Sequence, residues 1–172
     1  TENFEIKKKI FNDVMPIAPS HCVFATNTSS ISIDRLAREI PNPERLIGMH
    51  FFNPVPVMQL VEIIKGEKTT SEVTKKTEEL TLKLNKTGVV VNDAPGFISN
   101  RILMPMVNEA VEALSQGVAG IKAIDAIMQL GMAHPMGPLR LADLIGLDVC
   151  KSILEIMHSG LENDKYAPSP LL

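Results

Sequence analysis

The sequence has no long hydrophobic run, little cysteine and no surplus of basic residues. No stretch of about 18 consecutive apolar residues occurs, so a membrane-spanning helix is not predicted. The net charge of −3 argues against a general nucleic-acid binder. The one basic run, residues 7–9, is explained by a solvated helix face. With 172 residues, of which 45% are hydrophobic, the chain is long enough for one ordinary domain or two small ones.

The scarcity of cysteine bears on redox and metal chemistry. Cys22 and Cys150 are far apart and have no CxxC spacing. They are typical of buried thiols in a reducing compartment, such as the cytoplasm, the mitochondrial matrix or a peroxisome. The four histidines are scattered, so no metal site is predicted. No signal or transit peptide is visible, and both ends of the sequence predict a piece of a longer polypeptide.

Helical and extended patterns alternate over residues 1–92. Apolar spacing predicts helices over residues 2–18, 32–40 and 69–86, and strands over residues 21–26, 46–52, 57–64 and 87–91. The first helix has an apolar stripe of Ile6, Ile10, Val14 and Ile17. The third begins at a Thr-x-x-Glu sequence, Thr69 to Glu72, which has the shape of a capping box. Such alternation is typical of an α/β layer with a largely parallel sheet.

The second half of the sequence predicts helices only. The segment 92–96, Asn-Asp-Ala-Pro-Gly, interrupts the alternation. We expect a domain boundary there, which gives domains of residues 1–92 and 93–172. Helices are predicted over residues 97–116, 121–130, 139–144 and 148–158. In the first of these, Asn108 is expected on the polar face. The predicted fold class is therefore α/β followed by all-α.

His50 and Glu62 are the clearest candidates for chemistry. His50 lies near the end of one predicted buried strand, and Glu62 lies on the buried face of the next. A buried carboxylate needs a partner, and His50 is the obvious one. A carboxylate on one imidazole nitrogen fixes the tautomer and raises the basicity of the other nitrogen, as in a general base. A purely structural His–Glu pair under a turn is the alternative.

Other polar candidates follow the ends of predicted strands. In an open parallel sheet, ligands bind beyond the carboxyl ends of the strands. Residues 27–30, Asn53 and residues 92–93 occupy such positions. Ser29 could bind a substrate or cofactor, or belong to an ordinary helix-entry loop. Asn100 lies in line with apolar residues at the start of a helix, where it could be a ligand donor or a cap, and Ser99 competes for the capping role.

Four motifs occur in an order that resembles one known family. They are NTSS (27–30), GMHFFNPVPVMQLVEI (48–63), DAPGFISNR (93–101) and MGPLRLADLIGLD (136–148). Together they are similar to the 3-hydroxyacyl-CoA dehydrogenase family of fatty-acid β-oxidation, over essentially all 172 residues. The resemblance implies the C-terminal half of a Rossmann-like NAD-binding domain followed by an α-helical domain. It also implies oxidation of 3-hydroxyacyl-CoA to 3-ketoacyl-CoA with NAD, and a homodimer formed through the helical domain.

The resemblance also implies roles for individual residues. His50 would take the proton from the 3-hydroxyl group, and Glu62 would pair with His50 and hold it. Ser29 would contact substrate and nicotinamide, and Asn100 would contact the reacting oxygen of the substrate. Contacts to NAD are implied for four side chains, those of Glu2, Lys7, Ser29 and Asn53.

The sequence departs from this family in two respects that matter for the cofactor. It contains no Gly-x-Gly-x-x-Gly loop of the kind that binds the NAD pyrophosphate, and the family's C-terminal lysine near the nicotinamide is also absent. Two alternatives therefore stay open. One is a non-catalytic fragment or relative whose helical part is a dimerisation module. The other is a 3-hydroxybutyryl-CoA dehydrogenase that prefers NADP, because the residue that would decide between NAD and NADP lies in the absent part.

Overall fold

The computed structural model describes residues 2–172. They form two compact units, the first ending at Phe97 and the second spanning Ile98–Leu172. The first unit contains α1 (Phe4–Val14), β1 (Phe24–Thr26), α2 (Ile33–Ala37), β2 (Leu46–Phe51), β3 (Leu60–Lys65), α3 (Ser71–Lys83) and β4 (Thr87–Asn92). The second contains α4 (Ser99–Ser115), α5 (Ile121–Gly131), α6 (Pro138–Ile145) and α7 (Leu147–Leu161). No helix within residues 2–172 is both long enough and apolar enough to cross a membrane.

The four strands form one mixed sheet in the order β1-β2-β3-β4. The pairs β1–β2 and β3–β4 are parallel, but β2 and β3 are antiparallel. The expectation of a largely parallel sheet is wrong at this central pair, because only a turn, residues 52–59, joins β2 to β3. A parallel crossover needs a dozen or more residues. The strand β4 therefore runs antiparallel to β2. Its carboxyl end, with Asn92 and Asp93, lies at the opposite end of the strands from the carboxyl end of β2.

Period-2 alternation divides the first unit's core between the two faces of the sheet. Leu46 and Ile64 pack with residues of α1 and α2 on one face. Ile47 and Ile63 form a second cluster on the other face, with Val73 of α3. Gly48 lies on the first face, where an added Cβ would come within 2.9 Å of the Ile64 Cβ. His50 and Glu62 have the same parity as Leu46 and Ile64, so they continue this first face.

The first helix forms as expected but packs through different residues. Phe11 and Met15 are buried against the sheet, and the Phe11 ring meets Phe24 edge to face with centroids 6.1 Å apart. The apolar stripe of the helix is instead exposed, with Ile10 at 51% and Ile17 at 84%. The apolar spacing correctly predicts the helix, but it does not predict which side of the helix packs against the sheet.

Two helix starts show how the local sequence sets the element boundaries. Ser32 caps α2 by accepting a hydrogen bond from the Arg35 N–H at 3.0 Å. Thr70 caps α3 by accepting from the Val73 N–H. The capping position is thus one residue later than the Thr69–Glu72 pattern indicated. Thr69 is buried and donates to the Leu46 carbonyl at 2.7 Å, so its hydroxyl is already used.

The second unit has its own core, where α4, α6 and α7 meet. Asn108 of α4 is buried there, although its spacing placed it on the polar face. Its amide nitrogen donates to the Ala167 carbonyl at 3.0 Å, and its amide oxygen accepts from the Ser169 N–H at 2.8 Å. The buried amide is therefore satisfied by the backbone of the C-terminal segment, a contact that helical spacing cannot reveal.

Candidate active site

His50 and Glu62 are directly opposite one another on β2 and β3. The His50 Nδ1 lies 3.1 Å from the Glu62 Oε2. Both residues are buried, with exposures of 7% and 3%. The contact expected from strand parity is present, and it satisfies a carboxylate that would be costly to bury alone. A carboxylate beside Nδ1 favours the tautomer in which that nitrogen carries the proton and Nε2 is left as an acceptor.

Ser29 lies on the other side of the imidazole. Its hydroxyl oxygen is 3.3 Å from the His50 Nε2. Ser29 is exposed, whereas His50 is not. The three side chains thus form a path from a buried carboxylate, through an imidazole, to a hydroxyl at the surface of the unit. An imidazole in the position of His50 can take a proton from the hydroxyl group of a bound ligand.

Aromatic rings flank the His50 imidazole. The ring centroid of Phe52 is 4.8 Å away, and that of Phe97 is 6.0 Å away. Phe97 is almost fully buried. These rings give the imidazole an apolar surrounding, in which its hydrogen bond to Glu62 is stronger than it would be in water.

The loop that carries Ser29 is attached to the sheet and to the start of the chain. The Asn27 side chain accepts a hydrogen bond from the Phe51 N–H of β2 at 3.1 Å. The Glu2 carboxylate accepts from the backbone N–H groups of Ser29 and Ser30, both at 2.9 Å. Burial raises the pKa of Glu2, but hydrogen bonds from Thr28 and Ser30 lower that pKa more, so the net pKa is below its ordinary value.

The remaining expected site residues lie in different places. Asn53 is exposed in the turn after β2, and Lys7 is half-buried on α1. Asn100 belongs to the second unit, where it is buried in the first turn of α4. The capping position of α4 is Ile98, so neither Ser99 nor Asn100 is the N-cap residue.

Two other expectations concern residues 92–93 and the cysteines. Asp93 lies at the far edge of the sheet from His50, and its carboxylate accepts from the Ser32 hydroxyl and the Asp34 N–H, at 2.6 and 2.8 Å. It holds the start of α2 and does not join His50.

Both cysteines are free thiols, and burial raises the pKa of the Cys150 thiol. Cys22 is only half-buried. Within residues 2–172, no three His, Cys, Asp or Glu side chains are grouped so as to hold a metal ion.

Comparison with known proteins gives a consistent result over the whole chain. The family model described as "3-hydroxyacyl-CoA dehydrogenase, NAD binding domain" matches residues 1–94. The model described as "3-hydroxyacyl-CoA dehydrogenase, C-terminal domain" matches residues 96–172. Both matches follow the chain order that the four sequence motifs predict.

Individual relatives and solved structures agree with these matches. A "Probable 3-hydroxybutyryl-CoA dehydrogenase" of Bacillus subtilis is 53% identical over 99% of this chain and 60% of the relative. The human "Hydroxyacyl-coenzyme A dehydrogenase, mitochondrial" is 41% identical over 99% of this chain and 55% of the relative. The crystal structure of an (S)-3-hydroxybutyryl-CoA dehydrogenase from Ralstonia eutropha superposes with a TM-score of 0.97 at 46% identity, covering 99% of this chain and 60% of that one.

The coverage of the relatives is a separate finding. The chain spans 60% of the Bacillus relative and 55% of the human relative. The expected arrangement, a Rossmann-like NAD-binding part followed by a helical part, is confirmed by the matches and by the two units. On this evidence the chain belongs to the 3-hydroxyacyl-CoA dehydrogenase family.

Proposed function

We propose that the protein containing these residues oxidises 3-hydroxyacyl-CoA to 3-ketoacyl-CoA with NAD. The observation that carries this proposal is the hydrogen-bonded path from Glu62 through His50 to Ser29. The family, and the printed names of the Bacillus and Ralstonia proteins, support the substrate class.

His50 is the proposed general base. Oxidation of a secondary alcohol removes a hydride from carbon and a proton from oxygen, and NAD, when bound, accepts the hydride. The proton leaves the 3-hydroxyl group for the His50 Nε2, which faces the exposed side of the unit. In the reverse direction the charged imidazole returns this proton to the alkoxide. Glu62 holds the imidazole in the required tautomer and stabilises its charged form.

Ser29 and Asn100 are proposed to orient the reacting oxygen. Ser29 already hydrogen-bonds the His50 Nε2, the nitrogen that would accept the proton. A substrate hydroxyl beside Ser29 would therefore lie close to that nitrogen, in a geometry suited to proton transfer. Asn100 is a buried amide with both donor and acceptor capacity. For this residue the proposal rests on the family resemblance.

The cofactor contacts proposed for this chain concern the nicotinamide end of NAD. The exposed side chains of Ser29 and Asn53 follow the carboxyl ends of β1 and β2, where an open α/β sheet binds ligands. Glu2 and Lys7 complete the proposed set. These 172 residues contain no Gly-x-Gly-x-x-Gly loop, so they fit the nicotinamide end and not the pyrophosphate.

Dimerisation through the helical unit is a second proposal, and it is expected both for the dehydrogenase and for the alternative of an interaction module. Several large apolar side chains of this unit are exposed, among them Leu130 at 88%, Val118 at 72% and Leu144 at 70%. Exposed apolar groups of this kind are common at subunit interfaces. Sedimentation equilibrium distinguishes a dimer from a monomer, and a monomer at all concentrations would contradict the proposal.

The test of the dehydrogenase proposal is NADH consumption with acetoacetyl-CoA by the full-length protein, with its intact mass recorded. We expect turnover, and a lower rate when NADPH replaces NADH. A faster rate with NADPH would favour the NADP-preferring alternative. No turnover, in a protein as long as the relatives, would overturn the proposal in favour of a non-catalytic relative.

A further inference from the structure

The Glu2 carboxylate accepts four hydrogen bonds at a single oxygen atom. The donors are the Thr28 hydroxyl at 2.6 Å and, each at 2.9 Å, the Ser29 N–H, the Ser30 N–H and the Ser30 hydroxyl. All four belong to the loop that carries Ser29. Such concentration on one oxygen distinguishes Glu2 from Glu5 of the same region, whose ion pair with Lys8 spans 3.9 Å.

The two backbone donors constrain Ser29 in a specific way. The Ser29 N–H belongs to the peptide plane before the Ser29 Cα, and the Ser30 N–H belongs to the plane after it. Because each residue has only two soft backbone dihedrals, fixing both planes fixes the direction of the Ser29 Cα–Cβ bond. The side-chain hydroxyl then has only the rotation about that bond left.

The same loop is held at its two ends by other groups. Asn27 accepts from the Phe51 N–H at 3.1 Å, and the Thr28 hydroxyl accepts from the Ile31 N–H at 2.9 Å. Hydrogen bonds to an ionised acceptor are stronger than those between neutral groups. The pKa of Glu2 is below its ordinary value, because the hydrogen bonds from Thr28, Ser29 and Ser30 together outweigh burial, so these hydrogen bonds favour the ionised acceptor.

We propose that Glu2 is a positioning residue, which fixes the backbone on both sides of Ser29 and so places the Ser29 hydroxyl 3.3 Å from the His50 Nε2. The inference rests on the proposed dehydrogenase function. It goes beyond the NAD contact that the family resemblance implies for Glu2. A pure cofactor contact would affect NAD affinity, whereas a positioning residue affects turnover when NAD is saturating.

The kinetic test compares Glu2→Ala, Glu2→Gln and the control Glu5→Ala in the full-length protein. At saturating NAD and substrate, we expect Glu2→Ala to lose about 10²-fold in kcat. Glu2→Gln should recover most of that loss, because its amide oxygen can accept from the same two N–H groups, and Glu5→Ala should match the wild type. A Glu2→Ala protein that keeps its kcat and loses only NAD affinity would overturn the positioning role.

A double-mutant cycle with Ser29 tests whether Glu2 acts through that residue. If it does, adding Glu2→Ala to Ser29→Ala should cost little further kcat, because the group being positioned is already gone. Fully additive losses would mean that Glu2 acts independently of Ser29, and would overturn the inference.

Amide hydrogen exchange gives a readout that needs no activity. Exchange at the Ser29 and Ser30 amides should be at least about tenfold faster in Glu2→Ala than in the wild type, and unchanged in Glu5→Ala. Unchanged exchange in Glu2→Ala would overturn the positioning role alone. A wild-type protein that shows protected amides but no turnover would instead overturn the proposed function, so the two failures are distinguishable.

Discussion

Two histidine–carboxylate pairs, one in each unit, have nearly the same length and very different surroundings. The His50–Glu62 pair spans 3.1 Å between side chains that are 9% and 4% exposed. The His158–Asp164 pair spans 3.0 Å between side chains that are 40% and 102% exposed. Distance therefore does not distinguish the proposed active-site pair, but burial does. An exposed pair is screened by water and adds little, whereas a buried pair is costly to disrupt.

The largest expected difference between the two pairs appears when each imidazole is removed in turn. We expect His50→Gln to lower turnover by about 10²- to 10⁴-fold, the usual contribution of a general base. His158→Gln should leave turnover at the wild-type value, because His158 lies on α7 and pairs with an exposed aspartate. The measurement is kcat with acetoacetyl-CoA and NADH in the full-length protein. Equal turnover in the two variants would contradict the assignment of His50 as the base.

Removing each carboxylate should have a smaller effect, on stability. Glu62→Gln leaves a neutral amide against a buried imidazole, and we expect the free energy of unfolding to fall by about 1–3 kcal/mol. Asp164→Asn should leave it unchanged. Urea denaturation of both variants checks this, with matched m-values as evidence that only stability changed. Equal changes in the free energy of unfolding of the two variants would show that burial does not determine how much each pair contributes to stability.

A third carboxylate, that of Asp34, sharpens the comparison because, besides burial, the carboxylates of Asp93 and Glu67, and not a histidine, raise its pKa through their charges. Burial raises the pKa of Asp34, and the charges of Asp93 and Glu67 add to this increase. A raised pKa means that ionised Asp34 disfavours the folded state above that pKa, and that this penalty disappears once the group is protonated in both states. We therefore expect Asp34→Asn to be slightly more stable than the wild type at pH 7.

The control for Asp34 is the same measurement in acid. Near pH 3, below the ordinary pKa of an aspartate, the difference between Asp34→Asn and the wild type should vanish. A variant that is less stable than the wild type at pH 7 would show that the Asp34 hydrogen bond to the Glu67 N–H, at 2.7 Å, outweighs the repulsion.

Local rules accounted for most of the elements and for the central contact of the site. Strand parity placed Glu62 on the buried face, and the cost of burying a charge identified His50 as its partner. Both inferences depend only on residues a few positions apart along two adjacent strands, where the geometry is nearly fixed. Apolar spacing also predicted the helices α3 to α7 close to their observed bounds, whereas α1 ends at Val14 and α2 at Ala37, before their predicted ends at residues 18 and 40.

The errors had two sources. The antiparallel β2–β3 pair follows from the short connection between the two strands, which excludes a parallel crossover, and the position of Asp93 follows from that strand direction. The other errors arose where distant parts of the chain decide the outcome. The partner of Asn108 lies about 60 residues away, and helical spacing carries no information about it. The Glu2 network joins residues 26 to 28 positions apart, and in the sequence only the family resemblance drew attention to Glu2.

The most direct test of the central claim is the pH dependence of kcat/KM for 3-hydroxybutyryl-CoA oxidation, measured for the wild type and for Glu62→Gln in the full-length protein. If His50 carries the proton and Glu62 holds it, the variant should have a lower rate and a pH profile that is displaced from that of the wild type. Profiles that coincide, with or without a lower rate, would contradict the account, because the buried carboxylate would then have no influence on the group that carries the proton.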